Sequence, residues 1–270
     1  MSEESVISGW ERDRIVCRHL HGIQGKWTLR EEAPKYAPDR TCDVEHLRLD
    51  LVPDLPGRKI EAICRQRLRA AYGPFDSITL DAVDLRIHSI RDGDGHDLDY
   101  SYLSRKLTVR FPQKVQNEAE IVIAYTIDHP ALDLYFFGPN EIEPEATWQL
   151  WSQGEDEEAR YWIPCHDAPN EKMTTEVIVT VDPQYTVISN GALLSESESN
   201  GKKVVHFLES VPHVSCLITL VVGVFHRVVD EWRGIPVDYF VEPGREEEAR
   251  RSFGKTPQMI DFFSRKLNHP

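Results

Sequence analysis

The sequence predicts an all-β fold built around a large antiparallel sheet. Apolar and polar residues alternate with a period of two in many short segments, as they do in half-buried strands. Turn signals, including Asp92-Gly93-Asp94-Gly95 and Asn190-Gly191, separate these segments. Helical periodicity is confined to the end of the chain. These observations favour a β-sandwich or a saddle-like, strongly twisted sheet, followed by one C-terminal helix.

The alternation begins after a lead-in over residues 1–42, in which prolines interrupt any periodicity. Leu47, Leu49 and Leu51 then alternate with charged residues, which predicts the first strand. The same pattern predicts further strands at 60–70, 77–83, 85–90, 98–102, 107–111, 121–125, 177–181, 186–189, 204–208, 217–228 and 235–241.

The pattern changes at Pro243-Gly244. Beyond it, apolar residues recur at three-, four- and seven-residue steps between charged residues, which predicts a helix over residues 245–267. Gly254 and Pro257 are expected to kink or split this helix. We therefore expect a β domain over residues 43–242. Residues 243–270 would open a second domain, the rest of which is missing.

The charge balance, 31 basic against 45 acidic residues, disfavours nucleic acid as a partner. It is compatible with a cationic ligand such as a peptide amino terminus. No apolar run reaches the roughly 20 residues of a membrane span, and the amino terminus lacks the apolar region of a secretory signal. The five cysteines are scattered without a CxxC spacing, which favours reduced thiols. We expect a cytoplasmic protein with no membrane partner.

The most distinctive segment covers residues 148–169, WQLWSQGEDEEARYWIPCHDAP. It contains the acidic run Glu155–Glu158 and then a turn that two prolines stiffen. Composition alone favours a solvated acidic loop. Cys165 is interpreted as a small buried side chain rather than a nucleophile. Its neighbour His166 would point to the opposite face of an extended segment and could not act as its base.

Gln153-Gly154-Glu155, followed by RYWIPCHDAPNEK at residues 160–172, resembles the amino-terminal domain signature of zinc aminopeptidases of the aminopeptidase N type. The strand at 175–181, the turn at 188–191 and residues 235–237 also resemble that family, so the resemblance covers roughly residues 43–270. Two features depart from the family pattern. Trp162-Ile163 replaces the commoner aromatic residue before the proline, and Gly154 replaces a bulkier residue.

The resemblance implies a saddle-like β domain followed by a thermolysin-like catalytic domain, with a loop of the β domain reaching the active site. By position, Gln153 matches the glutamine that lines the first substrate pocket, and Glu155 matches an acid that holds the α-ammonium of the substrate. Such a carboxylate would be left unpaired by a substrate without that charge, which explains selectivity for free amino termini. The implied partners are a peptide amino terminus and the missing catalytic domain.

The zinc motif of that family is absent from this sequence. None of the eleven histidines begins His-Glu-x-x-His, and no Met-Glu-Asn occurs. The segment at 92–97 is interpreted as a hairpin turn rather than a calcium loop, because Leu103 stands where a bidentate glutamate is needed. We expect no catalytic residue, metal ligand or cofactor in this chain, and zinc in the full-length relative.

Two other functions compete with a substrate-recognition domain that is not catalytic alone. One is a non-catalytic scaffold, as in the aminopeptidase-like subunit of the general transcription initiation complex. The other is an independent β-sandwich module that binds carbohydrate. That module would need exposed aromatic residues along one face, and the six tryptophans form no such ladder in the sequence.

Overall fold

The computed structural model describes residues 39–269, so most of the lead-in expected over residues 1–42 lies outside the described residues. The described part is mainly strand, which confirms the all-β expectation. In chain order the strands are β1 Cys42–Asp54, β2 Lys59–Ala70, β3 Phe75–Asp81, β4 Arg86–Asp92, β5 Asp99–Leu103, β6 Lys106–Val115, β7 Glu118–Asp128, β8 Leu134–Phe137, β9 Gln149–Ser152, β10 Met173–Val181, β11 Thr186–Ser189, β12 Ala192–Ser199, β13 Lys202–His213, β14 Leu220–Gly223, β15 His226–Trp232 and β16 Ile235–Val241.

The strands of residues 39–269 form four sheets. The largest has seven strands in the order β12-β13-β10-β1-β2-β7-β4, and a four-stranded sheet has the order β11-β14-β9-β8. A three-stranded sheet, β3-β6-β5, and the β15-β16 hairpin complete the set. Strand pairs are antiparallel, as expected, except that β1 and β10 run parallel at the centre of the large sheet. That pair is a correction to a purely antiparallel sheet.

The alternating pattern of the strands places one face of the large sheet in the main core. Leu47, Leu49 and Leu51 are at most 1% exposed, whereas the residues between them reach solvent. Strand β10 alternates in the same way and buries Val177 and Val179. The same core also contains buried residues of the three- and four-stranded sheets, such as those of β3, β6, β9 and β14. The fold therefore joins three of its sheets through one apolar layer.

The expected C-terminal helix is present as two segments, α1 Glu246–Phe253 and α2 Thr256–Leu267. The break falls at Gly254, where a kink or split was expected. Ala249 of α1 packs with Val228 and Tyr239 in a second, small apolar cluster that is separate from the main core. No residue of α2 is buried. Across residues 39–269 we find no helix with the length and hydrophobicity to cross a bilayer.

Several strand boundaries differ from the sequence expectation. The apolar run at 217–228 is divided between β14 and β15, and Ser215–Leu217 forms a single 3-10 turn before it. Strands β8, β9 and β12 were not predicted. The turn at Asp92 is confirmed, since the backbone N–H of Asp92 donates to His96 O at 2.9 Å.

The turn at Asn190-Gly191 needs glycine for two reasons. Gly191 has φ +83°, and a Cβ there would lie 2.0 Å from the carbonyl oxygen of Leu208. Gly201 has a similar φ of +73°, but a Cβ there would meet open space. The two glycines therefore separate the cost of a left-handed backbone from the cost of a steric clash.

We predict that Gly201→Ala lowers the free energy of unfolding by about 1–2 kcal/mol, the usual cost of a left-handed alanine. Gly191→Ala should lower it by about 2–5 kcal/mol, because the clash with Leu208 adds to that cost. Urea denaturation of both variants measures the difference. Equal losses would contradict the close approach of β13 to this turn.

Candidate functional site

Gln153 follows directly after β9, which lies between β8 and β14 in the four-stranded sheet. Its backbone N–H donates to the carbonyl oxygen of Asp133 at 2.7 Å and to the carboxylate of Asp133 at 2.9 Å. The side chains of Gln153 and Glu155 are both exposed. The structure therefore places the two sequence-predicted site residues together, at the solvent side of one turn.

Gly154 lies between them and is buried against the backbone of another turn. A Cβ at this position would lie 2.7 Å from the carbonyl oxygen of Cys216 and 3.2 Å from the carboxylate of Asp133. Any larger residue would push these groups apart. This packing explains why a glycine stands where the aminopeptidase N pattern has a bulkier residue.

The acidic run forms a turn that is exposed at its tip. The backbone N–H of Glu158 donates to Gly154 O at 3.0 Å, which closes the turn, and a 3-10 turn over Ala159–Tyr161 follows. Glu157 forms an ion pair with Arg160 at 3.0 Å. Within residues 39–269, we find no ion pair that involves the carboxylate of Glu155. Glu155 is therefore an exposed carboxylate that forms no ion pair with the described residues.

Trp162 anchors the turn in the core. Its side chain is fully buried, and its indole N–H donates to the Asp133 carboxylate at 2.6 Å. The hydroxyl of Tyr125, on β7, donates to the carbonyl oxygen of Trp162 at 2.8 Å. The residue that departs from the commoner family pattern is thus bonded at both its side chain and its backbone.

Arg160 and Asp167 fix the other end of the turn. The guanidinium Nε of Arg160 lies 2.8 Å from the Asp167 carboxylate, whose side chain is 1% exposed. Asp167 also accepts the backbone N–H of Arg160 at 3.2 Å and the Ser215 hydroxyl at 3.0 Å. Burial raises the pKa of Asp167, and the bonds from Arg160 oppose that rise. Asp167 therefore has a structural role, since it holds both Arg160 and Ser215.

Cys165 is buried at 1% exposure, as expected, and exchanges two backbone hydrogen bonds with Asp81 at the end of β3. Burial raises the pKa of its thiol well above the ordinary value, which disfavours the nucleophilic thiolate. Its neighbour His166 bonds instead to the buried carboxylate of Glu171. Glu171 also accepts the backbone N–H of Val44 on β1, so the motif is tied to the large sheet.

Asp133 is the residue of this site that the sequence analysis missed. It lies just before β8, is 0% exposed and has φ +67°. Burial raises its pKa to about 7, although the bonds from Trp162 and Gln153 oppose the rise. No local pattern marks it, because its partners Gln153 and Trp162 lie 20 and 29 residues later in the chain. The pairing of β8 with β9, Leu134 opposite Ser152, is what brings them together.

Three aromatic side chains lie together on the partly exposed face of β8 and β9. The rings of Phe137 and Trp151 stack at 5.2 Å, and Tyr135 lies 5.0 Å from Trp151. The sequence showed no tryptophan ladder. The structure instead brings these three rings together in a cluster that contains a single tryptophan, Trp151, which lies two residues before Gln153.

Three cavities of the described residues lie elsewhere, on or beside the large sheet and next to His166.

The described residues do not fit a tetrahedral zinc centre. Their one cluster of potential ligands is Asp92, Asp94 and His96, on an exposed turn. The Asp92 carboxylate already accepts the backbone N–H groups of Asp94 and His96, which is a turn-stabilising use. A catalytic zinc site needs three protein ligands, at least two of them histidine or thiolate in the common sets, held in a shaped cavity, whereas this exposed turn offers one histidine and two carboxylates.

Comparison with known proteins assigns the fold and the motif to one family. The family model of the Peptidase M1 N-terminal domain matches residues 43–217. The chain belongs to this family. Aminopeptidase 2, mitochondrial, of Saccharomyces cerevisiae is 25% identical over 265 residues, which covers 92% of this chain and 27% of the relative. Probable aminopeptidase 1 of Sulfurisphaera tokodaii is 26% identical over 196 residues, covering 72% and 24%.

The M1 fold is also found among solved structures. An M1 zinc metallopeptidase from Deinococcus radiodurans matches with a TM-score of 0.65 and 22% identity, covering 84% of this chain and 53% of that one. Subunit 2 of the transcription initiation factor TFIID from Gallus gallus is 29% identical over 152 residues, covering 55% of this chain and 13% of the relative. The chain spans about a quarter of the length of the aminopeptidases it matches.

In this M1 domain, the Arg160–Asp167 pair gives a direct test of the motif's structural role. We predict that Asp167→Ala lowers the free energy of unfolding by about 3 kcal/mol, because Arg160 loses its buried partner. Asp156→Ala, a change on the exposed tip of the same turn, should stay within about 0.5 kcal/mol of the wild type. Chemical denaturation compares the two, and similar losses would show that the pair does not hold the motif.

Proposed function

We propose that this domain recognises the free amino terminus of a peptide for an M1 zinc aminopeptidase and is not catalytic by itself. Glu155 would bind the α-ammonium group, and Gln153 would line the pocket for the first side chain. The observation that carries the proposal is the exposed Glu155 carboxylate on a turn with a buried base. A carboxylate held in this way can exchange water for a cationic ligand without reorganising the turn.

Charge and hydrogen-bond chemistry support this assignment. An ammonium group offers three donors, and an ionised carboxylate accepts them in charge-assisted bonds that are shorter and stronger than neutral ones. Gln153 adds an amide with both donor and acceptor atoms close to the same ligand. The chain's formal charge of −14 favours approach by a cation.

The ligands of related structures support the same ligand class. Solved structures of M1 zinc metallopeptidases include mutants bound to L-arginine and to L-tryptophan, and a Deinococcus radiodurans mutant bound to a Tyr-Ser-Ala substrate. Each of these compounds carries a free α-amino group. We infer that the present domain takes part in binding a ligand of the same class.

The proposed partner within the enzyme is a catalytic domain that carries the zinc. Two apolar surfaces support this partner. The aromatic cluster on β8 and β9 is one, and helix α2 is the other. On α2, Met259, Phe263 and Leu267 are 55%, 57% and 73% exposed. Exposed apolar patches of this kind mark interaction sites. A pocket at Gln153 and Glu155 would form only together with the same partner, because the cavities seen in the described residues lie elsewhere.

A cytoplasmic location belongs to the proposal as well. Its support is the state of the cysteines: Cys42, Cys64, Cys165 and Cys216 are all free thiols in the described part of the chain. Free thiols are typical of a reducing compartment.

A scaffold function is the second candidate, because TFIID subunit 2 shares 29% identity with part of this domain. A scaffold would use the same β fold without needing a cation-binding carboxylate. The two functions differ in what they demand of Glu155. Only recognition of an amino terminus requires its charge.

We predict that Glu155→Gln, in the full-length enzyme that contains this domain, lowers kcat/KM for an aminoacyl amide by about tenfold or more. The charged hydrogen bond to the ammonium group is lost, while the size of the side chain is kept. Steady-state kinetics measure the effect. Asp156→Asn is the matched control, since it removes one exposed negative charge from the next residue and should change kcat/KM little. Unchanged kinetics in Glu155→Gln would exclude the recognition role and favour the scaffold.

We also predict that the 270-residue chain alone neither binds zinc at stoichiometry nor hydrolyses an aminoacyl chromogenic amide. The reason is that the metal ligands and the water-activating glutamate would come from the catalytic domain. Metal analysis after dialysis against zinc, together with the amidase assay, tests this. One zinc per chain, or turnover that chelator abolishes, would overturn the non-catalytic part of the proposal.

A further inference from the structure

The turn that carries Gln153 and Glu155 touches one buried charged side chain that the proposed recognition chemistry does not use. This residue is Asp133, which belongs neither to the acidic run Glu155–Glu158 nor to the motif at residues 160–172. We propose that Asp133 is a positioning residue. It fixes the direction that the backbone of residues 153–155 takes where it continues from the end of β9. This inference rests on the proposed function of the turn and adds a residue to it.

The geometry at Asp133 links the two halves of the site. One carboxylate oxygen accepts the backbone N–H of Gln153 at 2.9 Å, and the other accepts the indole N–H of Trp162 at 2.6 Å. Trp162 is fully buried and cannot shift without disturbing the core. Through Asp133, the backbone that leads to Glu155 is therefore bonded to a fixed point in the interior.

The packing of Gly154 strengthens this link. The carboxylate of Asp133 lies beneath Gly154, 3.2 Å from where a Cβ would be. The carbonyl oxygen of Cys216 lies 2.7 Å from the same position. The residue between Gln153 and Glu155 is thus packed against two groups, one of which is the carboxylate itself.

The burial of Asp133 shows that its carboxylate is directed inward, and its backbone conformation shows which residues could replace it. In the β8–β9 ladder, Leu134 lies opposite Ser152, so Asp133 comes next to Gln153 at the end of the ladder. Asp133 has φ +67°, in the left-handed region that aspartate, asparagine and glycine tolerate best. Its side chain is 0% exposed, whereas Gln153 is exposed. Asparagine and glycine can therefore replace Asp133 without straining the backbone.

The charge state of Asp133 affects how well it can hold the turn. The ionised carboxylate can accept both N–H bonds, whereas protonation turns one oxygen into a donor. Burial raises the pKa of Asp133 to about 7. Three other titratable groups face it, namely Glu158 of the turn, Asp167 of the motif and Cys216 of the neighbouring 3-10 turn. The positioning contribution should therefore grow as the pH rises through 7.

The test uses NMR on the 270-residue chain and needs no catalysis. The variants are Asp133→Gly, which removes both carboxylate acceptors, and Asp133→Asn, which keeps one. The backbone carbonyl of residue 133, which also accepts the Gln153 N–H, is present in both variants. The control is Asp84→Asn, an exposed aspartate that also has a positive φ of 56°. Because that carbonyl bond remains, we expect hydrogen exchange of the Gln153 amide to accelerate about threefold or more in Asp133→Gly, relative to core amides such as that of Leu150. Asp133→Asn should give a smaller acceleration and the control none.

A pH titration of the wild-type chain gives the second readout. The Trp162 indole N–H resonance should shift with a midpoint near 7 in the wild type and should not titrate in either Asp133 variant. A Gln153 amide that accelerates only in proportion to the core amides would reduce Asp133 to a stabilising residue and overturn the proposal. An indole resonance that is insensitive to Asp133→Gly would also overturn it.

Kinetics of the full-length enzyme separate this proposal from the recognition role. Asp133→Gly should lower kcat/KM for an aminoacyl amide about tenfold with its zinc content unchanged, and Asp133→Asn should recover part of the loss. If Glu155→Gln impairs turnover but Asp133→Gly does not, only the positioning role fails. If Glu155→Gln has no effect, the recognition role fails, and the NMR results on the turn still decide whether Asp133 positions it.

Discussion

The guanidinium of Arg160 lies 2.8 Å from the carboxylate of Asp167, whose side chain is almost fully buried. The charge of Asp167 could not be buried there without this partner. Their pairing closes the segment between them and, with the Cys165–Asp81 backbone bonds, fastens it to the end of β3. The exposed acidic tip depends on this base, because a turn anchored in the core can hold a charge in solvent at a fixed place.

The local alternation of apolar and polar residues was sufficient to predict the strands that bury one face. It was insufficient to predict the other strands. Strand β1 alternates leucine with charge, so its period is visible in the sequence. Strand β12 is exposed along its whole length, so it has no buried face to show a period. Strands β8 and β9 have four residues each, which is too short to establish one. The parallel pairing of β1 with β10 depends on contacts between segments more than 120 residues apart, and local alternation does not encode it.

The residues of the candidate site also fall into those that the sequence indicated and those that only the structure revealed. Gln153 and Glu155 stand at a fixed distance before a proline-bounded motif, so the sequence and its family resemblance were enough to propose them as site residues. Asp133 is an isolated acidic residue in a connecting segment, and only strand pairing reveals that it supports the turn. Gly154 looked like a departure from the family, yet its contact with Cys216 makes it a steric requirement of this structure. The local motif thus suggests which groups face the proposed ligand, whereas tertiary contacts show which residues hold those groups in place.

In the proposed site, the side chains of Gln153 and Glu155 are held in place because the motif that follows them, at residues 160–172, is anchored in the core. Residue-resolved hydrogen exchange of the wild-type chain tests it most directly. The amides of Ile163 and Cys165, which donate to Ala159 and Asp81, should exchange as slowly as those in the middle of β1, while the amides at the acidic tip exchange quickly. Fast exchange throughout residues 153–171, at the rate of an open loop, would contradict the account.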